Sequence, residues 1–127
     1  MARLTVVSLV VSNLAASIDF YSRLGLTLSE GDPDDDHAEL LGAGVRVMLD
    51  TEDLTRQLHA GWTRPTGGHA MALAFECGSP EEVDSTFDLL IKTGRVSVQE
   101  PWNAFWGQRY ATVADPDGNP VDLFCPL

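Results

Sequence analysis

One order of predicted elements, strand-helix-strand-strand-strand, occurs twice in this chain of 127 residues. The two copies start about 65 residues apart, and a repeat of this kind indicates two similar modules. The copies cover residues 2–50 and 69–127, and the Gly- and Pro-containing residues 51–68 are predicted to form the linker between them. The repeat therefore predicts a single α+β domain, residues 1–127, built from two β-α-β-β-β modules.

The first copy opens with an apolar, β-branched run at residues 4–11, which predicts a strand. Ser12 or Asn13 can cap the helix that follows, and Gly25 lies just beyond the end of that helix. Turn residues then separate three short extended segments. The helix is predicted at residues 14–24 and the three strands at residues 26–29, 38–41 and 45–49.

The second copy begins with a predicted strand at residues 70–77. Ser79 is the expected N-cap of the next helix, with Pro80 at the first helical position and Glu82 closing a capping box. This helix runs to about residue 93 and stops at Gly94. Strands are predicted at residues 96–100, 108–114 and 121–124, and the turn Asp115-Pro116-Asp117-Gly118-Asn119 joins the last two.

The charge balance restricts the partners that this chain can bind. Eight basic residues against 19 acidic ones give a net charge of −11. Nucleic acid and anionic membrane surfaces both require a basic face, so neither is expected as a partner. A cationic or neutral small ligand fits better, although an acidic surface that aids solubility explains the same charge. No apolar run approaches the roughly 20 residues of a membrane helix, and we expect a soluble cytoplasmic protein.

The two cysteines, Cys77 and Cys125, are expected to be buried structural thiols. They have no C-x-x-C spacing, which excludes a zinc knuckle, and no secretory context that would favour a disulfide.

Three motifs in chain order carry a resemblance to a known family. The first is V-S-N-L at residues 11–14 with F-Y-S-R-L-G at 20–25, and the second is S-P-E-E-V-D at 79–84. The third is W-G at 106–107, followed by D-P-D-G-N at 115–119 and then Asp122. Together they resemble the vicinal oxygen chelate superfamily, which includes glyoxalases, extradiol dioxygenases, fosfomycin-resistance enzymes and bleomycin-resistance proteins.

The resemblance implies a fold and an assembly. The two modules would form a curved mixed sheet that encloses a concave cavity, with the helices on the convex face. Members of the family usually form dimers, so a homodimer is expected, with the site associated with the dimer. Because this scaffold serves both enzymes and binding proteins, the function has to be argued from the site.

The resemblance also implies where a metal would be held. Metal-dependent members place a His on the first strand of one or both modules and a carboxylate on the last strand. Here Val6 and Ala72 stand at the His positions, and only Asp122 stands at a carboxylate position. One carboxylate cannot hold a transition metal, which needs three or four donors.

The three histidines do not supply the missing donors in the sequence. His69 lies three residues before Ala72, an odd offset that directs its side chain to the opposite strand face. His37 lies beside the acidic loop 31–36 and His59 in the linker, both without partners at ligand spacing. We therefore expect no metal, no cofactor and no catalytic residue.

Strand alternation predicts which side chains face the cavity. Val6, Ser8 and Val10 would face it from the first strand, opposite to Val7, Leu9 and Val11. Ala72, Ala74 and Glu76 would do so from the fifth strand, and Asp122 and Phe124 from the last. A register shift of one residue would invert these assignments. The predicted pocket is thus roomy where a metal enzyme carries its ligands.

Aromatic residues are concentrated near the start of the seventh strand, in a segment read as a loop. Such rings suit stacking on a planar ligand, with acidic groups available for its polar or cationic parts. The alternative is that they close the core or form the dimer contact. The candidate ligand-binding residues are Glu39, Met48, Trp62, Trp102, Phe105, Trp106, Tyr110 and Asp122.

Three functions fit these observations. The favoured one is a metal-independent binding protein, closest to the bleomycin-resistance branch, that sequesters a bulky aromatic antibiotic or metabolite. The second is a metal-dependent lyase, isomerase or dioxygenase resembling the glyoxalases. The third is a metal-free enzyme in which Asp122, Glu76 or Tyr110 acts as general acid or base.

Overall fold

The computed structural model describes all residues, 1–127, and the chain divides into two compact units, Met1–Thr66 and Gly67–Leu127. Each unit contains one four-stranded mixed sheet. The first and last strands of each unit pair in parallel, and the remaining pairs are antiparallel. The predicted class, α+β with two β-α-β-β-β modules, is confirmed.

The first unit has the strand order β1-β4-β3-β2, with α1 packed against β2, β3 and β4. A further short helix, α2, contacts β1 and β4. The elements of this unit are β1 Val6–Val11, α1 Leu14–Arg23, β2 Thr27–Glu30, β3 His37–Leu41, β4 Arg46–Thr51 and α2 Glu52–Leu58.

The second unit repeats this arrangement with the strand order β5-β8-β7-β6, and α3 packs against β6, β7 and β8. Its elements are β5 Leu73–Glu76, α3 Pro80–Lys92, β6 Ser97–Ala104, β7 Gln108–Ala114 and β8 Pro120–Pro126. None of the three helices is both long and apolar enough to cross a membrane.

The helix starts follow from their capping residues. Asn13, one of the two predicted caps, accepts a hydrogen bond from the Ala16 N–H at 3.0 Å. Ser79 accepts one from the Glu82 N–H at 3.1 Å, as the capping box predicts. In a standard capping box the Glu side chain accepts a hydrogen bond from the N–H of the N-cap residue. Here the Glu82 carboxylate accepts one from the N–H of Gly78, one residue before the cap.

Alternation along the strands places one face of each sheet against its helix. In the first unit, Ala38, Leu40 and Leu49 are completely buried, together with Phe20 of α1. In the second unit, Val113 and Leu123 are buried with the α3 side chains. The predicted division of the strand faces is confirmed on the helix side, since Ser8, Val10, Ala74 and Glu76 on the opposite faces are exposed. Cys77 and Cys125 are free and buried, also as predicted.

Two segments differ from the sequence predictions. Residues 51–68, read as a linker, contain α2, whose N-cap Thr51 accepts a hydrogen bond from the Leu54 N–H. The predicted loop around Trp102 is wrong, because β6 continues to Ala104 and Trp102 pairs with Tyr110 across the hairpin. Trp102 therefore has a fixed place in the sheet.

The Asp115 carboxylate organises the turn between β7 and β8. Its Oδ1 accepts hydrogen bonds from the backbone N–H groups of Asp117 and Asn119, both at 2.9 Å, and its Oδ2 accepts one from the Asn119 side chain. Asp115 is only 5% exposed, so water cannot readily replace these bonds. Gly118 completes the turn with a φ of +84°, which glycine adopts without strain.

This geometry predicts a loss of stability on removal of the Asp115 carboxylate. Asp115→Ala removes the acceptor of two backbone N–H groups in a part-buried turn and should lower the free energy of unfolding by about 1–2 kcal/mol. Asp115→Asn keeps one acceptor oxygen and should lose less than half as much. Urea unfolding followed by tryptophan fluorescence measures both. Equal losses in the two variants, or an Ala variant as stable as the wild type, would contradict this role.

Candidate functional site

The face of each sheet that its helix does not cover is called here the open face. On the open face of the second unit, Trp102, Tyr110 and Phe124 lie in register on three adjacent strands. Alternation along β8 places Asp122 on the same face, since Val121 and Leu123 are buried on the other. One sheet face thus presents a row of aromatic rings beside a carboxylate.

Trp106 is the centre of the aromatic cluster, defined here as Trp102, Phe105, Trp106 and Tyr110. Its ring centroid lies 5.5 Å from that of Trp102, 4.9 Å from Phe105 and 5.3 Å from Tyr110, each in an edge-to-face arrangement. The indole Nε1 donates a hydrogen bond to Gln108 Oε1 at 2.8 Å, which fixes the ring orientation. The cluster is nevertheless accessible, since Trp106 is 49% and Phe105 91% exposed.

Two hydroxyl groups hold the Asp122 carboxylate. Tyr110 donates to Oδ2 at 2.8 Å, and Thr112 donates to Oδ1 at 2.7 Å. Its neighbour in register on β5 is Ala74, whose methyl side chain makes no hydrogen bond to the carboxylate. A carboxylate offers about four acceptor positions, so two remain for a further donor.

The environment of Tyr110 changes its acidity. Burial, followed by the hydrogen bond to Asp122 and the negative charge of that group, raises the pKa of Tyr110 to about 12. Each of these effects penalises the phenolate. Tyr110 is therefore a hydrogen-bond donor near neutral pH and a poor general base.

A second polar cluster lies on the open face of the first unit. His37 Nδ1 lies 2.5 Å from Asp50 Oδ1, and His37 Nε2 lies 3.2 Å from Glu39 Oε2. Arg46 donates to Glu39 Oε1 at 3.0 Å. One ligand-capable atom from each of Glu30, His37 and Glu39 lies within 4.8 Å of the other two.

The charges in this cluster influence one another. The hydrogen bond that the His37 ring donates to the Asp50 carboxylate is the main reason that the pKa of His37 is raised. The proximity of Glu39 raises the pKa of Glu30, and the proximity of Glu30, together with the contact to His37, lowers the pKa of Glu39. Two carboxyl groups that meet in this way favour one bound cation or proton between them.

The structure groups most of the predicted ligand-binding residues. Trp102, Phe105, Trp106, Tyr110 and Asp122 lie together in the second unit. Glu39 and Met48 are register partners in the first unit. Trp62, also in the first unit, lies 5.4 Å from the guanidinium carbon of Arg56.

Arg109 points away from this face, as strand alternation predicts. Its guanidinium makes a two-pronged ion pair with Asp84 of α3, at 2.8 and 2.9 Å. It thereby joins the helix to β7 and takes no part in the candidate site.

The positions at which the resemblance places metal ligands do not suit a metal. Val6 and Ala72 have hydrocarbon side chains, and both oxygens of Asp122 already accept hydrogen bonds. Ala74, opposite Asp122, adds no donor. Three or four N, O or S ligands are needed for a transition metal, and these positions supply one.

One part of the histidine interpretation is wrong. His37 was expected to lack partners at ligand spacing, but β3–β4 pairing places Asp50 directly across from it, and Glu39 lies two residues along β3. Sequence spacing does not reveal Asp50, because only the β3–β4 pairing brings it opposite His37. The Glu39 contact could have been found, since alternation along a strand puts His37 and Glu39 on one face.

Comparison with known proteins agrees with this fold. The sequence model of the glyoxalase/bleomycin resistance protein/dioxygenase superfamily matches residues 3–123. The chain therefore belongs to this superfamily, which the three sequence motifs indicated.

Individual relatives are distant in sequence. An uncharacterized protein of Mycobacterium tuberculosis is 28% identical over 126 residues, which is 94% of this chain and 72% of that protein. A superfamily structure from Nocardioides is 28% identical with a TM-score of 0.78, covering 100% of this chain and 85% of that one. Another, from Burkholderia phytofirmans, is 19% identical with a TM-score of 0.88, covering 99% and 100%.

The raised pKa of Tyr110 predicts that the free energy of unfolding depends on pH in the alkaline range. Because the folded pKa of about 12 lies above the ordinary value of 10.0, the hydroxyl contributes stability that is fully present below pH 10 and is lost as pH rises toward 12. The free energy of unfolding of the wild type minus that of Tyr110→Phe should be constant between pH 8 and about 9.5 and should then decrease. Urea unfolding at each pH measures this difference. A difference that stays constant to about pH 11 would contradict the assignment.

Proposed function

We propose that this chain is a small-molecule binding protein whose ligand stacks on the aromatic cluster of the second unit. The observation that carries the proposal is the exposed, mutually supported set of rings around Trp106, next to the Asp122 carboxylate. The ligand class is a planar, partly aromatic molecule with a cationic or hydrogen-bond-donating group.

The ring geometry supports stacking. Trp106 is held by three edge-to-face contacts and a side-chain hydrogen bond, so its ring loses little freedom when a ligand binds. About half of its surface is still open. Rigid, half-exposed indole rings are effective binding surfaces because they offer a large apolar area at low entropic cost.

The charge supports a cationic ligand. Asp122 has acceptor positions left after its bonds to Tyr110 and Thr112, and a positively charged amine could use them. The net charge of −11 would also raise the local concentration of cations and exclude anions.

The proposed mechanism is binding without chemistry and without a metal at the positions of Val6, Ala72 and Asp122. The family resemblance favours one version of this proposal, in which a cytoplasmic homodimer sequesters an antibiotic or metabolite. The metal-dependent lyase or dioxygenase alternative would need donors that those three positions do not provide. Light scattering on the purified protein tests the dimer separately.

Proflavine, a planar aromatic cation, tests the proposal by isothermal titration calorimetry. It should bind the wild type with one site per chain, and Trp106→Ala should weaken the affinity at least tenfold, a loss of about 1.4 kcal/mol. Asp122→Asn should weaken binding to a smaller extent, since it removes the charge and keeps the shape. Naphthalene sulfonate, a planar anion, should bind more weakly than proflavine.

The matched control is Leu89→Ala, which removes exposed apolar surface from α3 on the opposite side of the same unit. Its affinity for proflavine should equal that of the wild type. Unchanged affinity in Trp106→Ala would overturn the stacking surface, and stronger binding of naphthalene sulfonate would overturn the role of Asp122.

A further inference from the structure

The polar cluster on the open face of the first unit has the geometry of a metal-binding site. The three candidate ligand atoms, from Glu30, His37 and Glu39, all lie within 4.8 Å of one another. Two ligand atoms about 2.1 Å from one tetrahedral Zn²⁺ ion lie about 3.4 Å apart. His37 Nε2 and Glu39 Oε2, at 3.2 Å, already have close to that separation.

Neighbouring side chains bind the other polar atom of His37 and of Glu39. His37 Nδ1 faces Asp50 Oδ1 at 2.5 Å, so Asp50 orients the ring and directs Nε2 toward Glu39. Arg46 binds Glu39 Oε1 at 3.0 Å, which leaves Oε2 facing the imidazole. A histidine whose second nitrogen donates to a carboxylate is the usual arrangement of a metal-bound histidine.

An irregularity in β2 places the third ligand. Leu28 pairs with Leu40, but the next pair joins Glu30 to Glu39, so a bulge at Ser29 shifts the register by one residue. Without it, Ser29 would lie opposite Glu39. Bulges commonly redirect a side chain next to a functional site. Gly31 follows Glu30 with a φ of +83°, and a Cβ at this position would overlap the backbone oxygen of His37. Because glycine has no Cβ, the chain can leave the sheet directly after Glu30.

The charge of the cluster suits a divalent ion. The carboxylates of Glu30, Glu39 and Asp50 outnumber the single permanent cation, Arg46, and with a neutral imidazole the cluster carries two unbalanced negative charges. A mixture of one imidazole and two carboxylates favours first-row transition ions over Mg²⁺ and Ca²⁺, which prefer oxygen alone.

We propose that Glu30, His37 and Glu39 bind one Zn²⁺ ion per chain, with Asp50 and Arg46 as positioning residues. Three protein ligands leave the fourth coordination position open to water or to a ligand atom. The site lies on β2 and β3, away from the β1 position of Val6 at which the resemblance places a metal. It does not depend on the function proposed for the second unit.

Calorimetric titration of the metal-free protein with Zn²⁺ tests the site. We expect one ion per chain, with an affinity at least tenfold weaker in Glu30→Gln, His37→Gln and Glu39→Gln. Glu30 is exposed, so its variant tests the site with little risk to folding. Asp50→Asn should weaken binding about tenfold without changing the stoichiometry, and the metal-free variant should keep the fold of the wild type.

The matched control is His59→Gln, which removes an imidazole outside the cluster in the same unit and should bind Zn²⁺ like the wild type. Co²⁺ provides a second measurement, since the wild type should show the visible absorption bands of bound cobalt and His37→Gln should not. Zn²⁺ binding that survives His37→Gln, or that is lost in His59→Gln, would overturn the proposal. So would Ca²⁺ binding as tight as that of Zn²⁺, which would point to the aspartates of the acidic loop instead.

Discussion

In each unit the first strand pairs in parallel with the last strand. The register of this pair determines which side chains of the two strands face the helix and which lie on the open face. Leu73 pairs with Val121, so the apolar residues of β8 meet α3 and Asp122 lies on the open face. A shift of one residue would bury this carboxylate beneath the helix and expose Leu123. The burial of Val121 and Leu123 therefore stabilises the register on which the candidate site depends.

The two open faces carry different chemistry on the same scaffold. In the second unit, aromatic rings and one carboxylate form a surface suited to a planar organic molecule. In the first unit, the corresponding face carries an imidazole among carboxylates, a group suited to an ion. This is consistent with a duplicated module whose core is retained while its open face varies.

Much of this arrangement could be predicted from the sequence because its determinants are local. The Ser79 cap, the Asp115 turn and the alternation along β8 each depend on residues within a few positions of one another. The aromatic cluster was also predictable, because Trp102, Phe105 and Trp106 are close in the chain. Residues close in sequence remain close whatever the global fold.

The parts that sequence reasoning missed depend on distant pairing or on weak local signals. The residues after Glu100 were interpreted as a loop, yet β6 continues to Ala104 and contains Pro101, because it is an edge strand with register shifts, where proline is tolerated. The helix α2 is only seven residues long, and a segment that contains Gly61, Pro65, Gly67 and Gly68 follows it. The His37–Asp50 contact joins residues 13 apart, and only the β3–β4 register brings them together.

The indole N–H signals of the three tryptophans test most directly whether the rings around Trp106 bind a planar cation. In a ¹H–¹⁵N spectrum of the labelled protein, proflavine should shift the signals of Trp102 and Trp106 with one common dissociation constant. Their assignment follows from Trp102→Phe and Trp106→Phe variants. If both signals stay in place while proflavine binds, the ligand lies elsewhere and the account of the second unit is wrong.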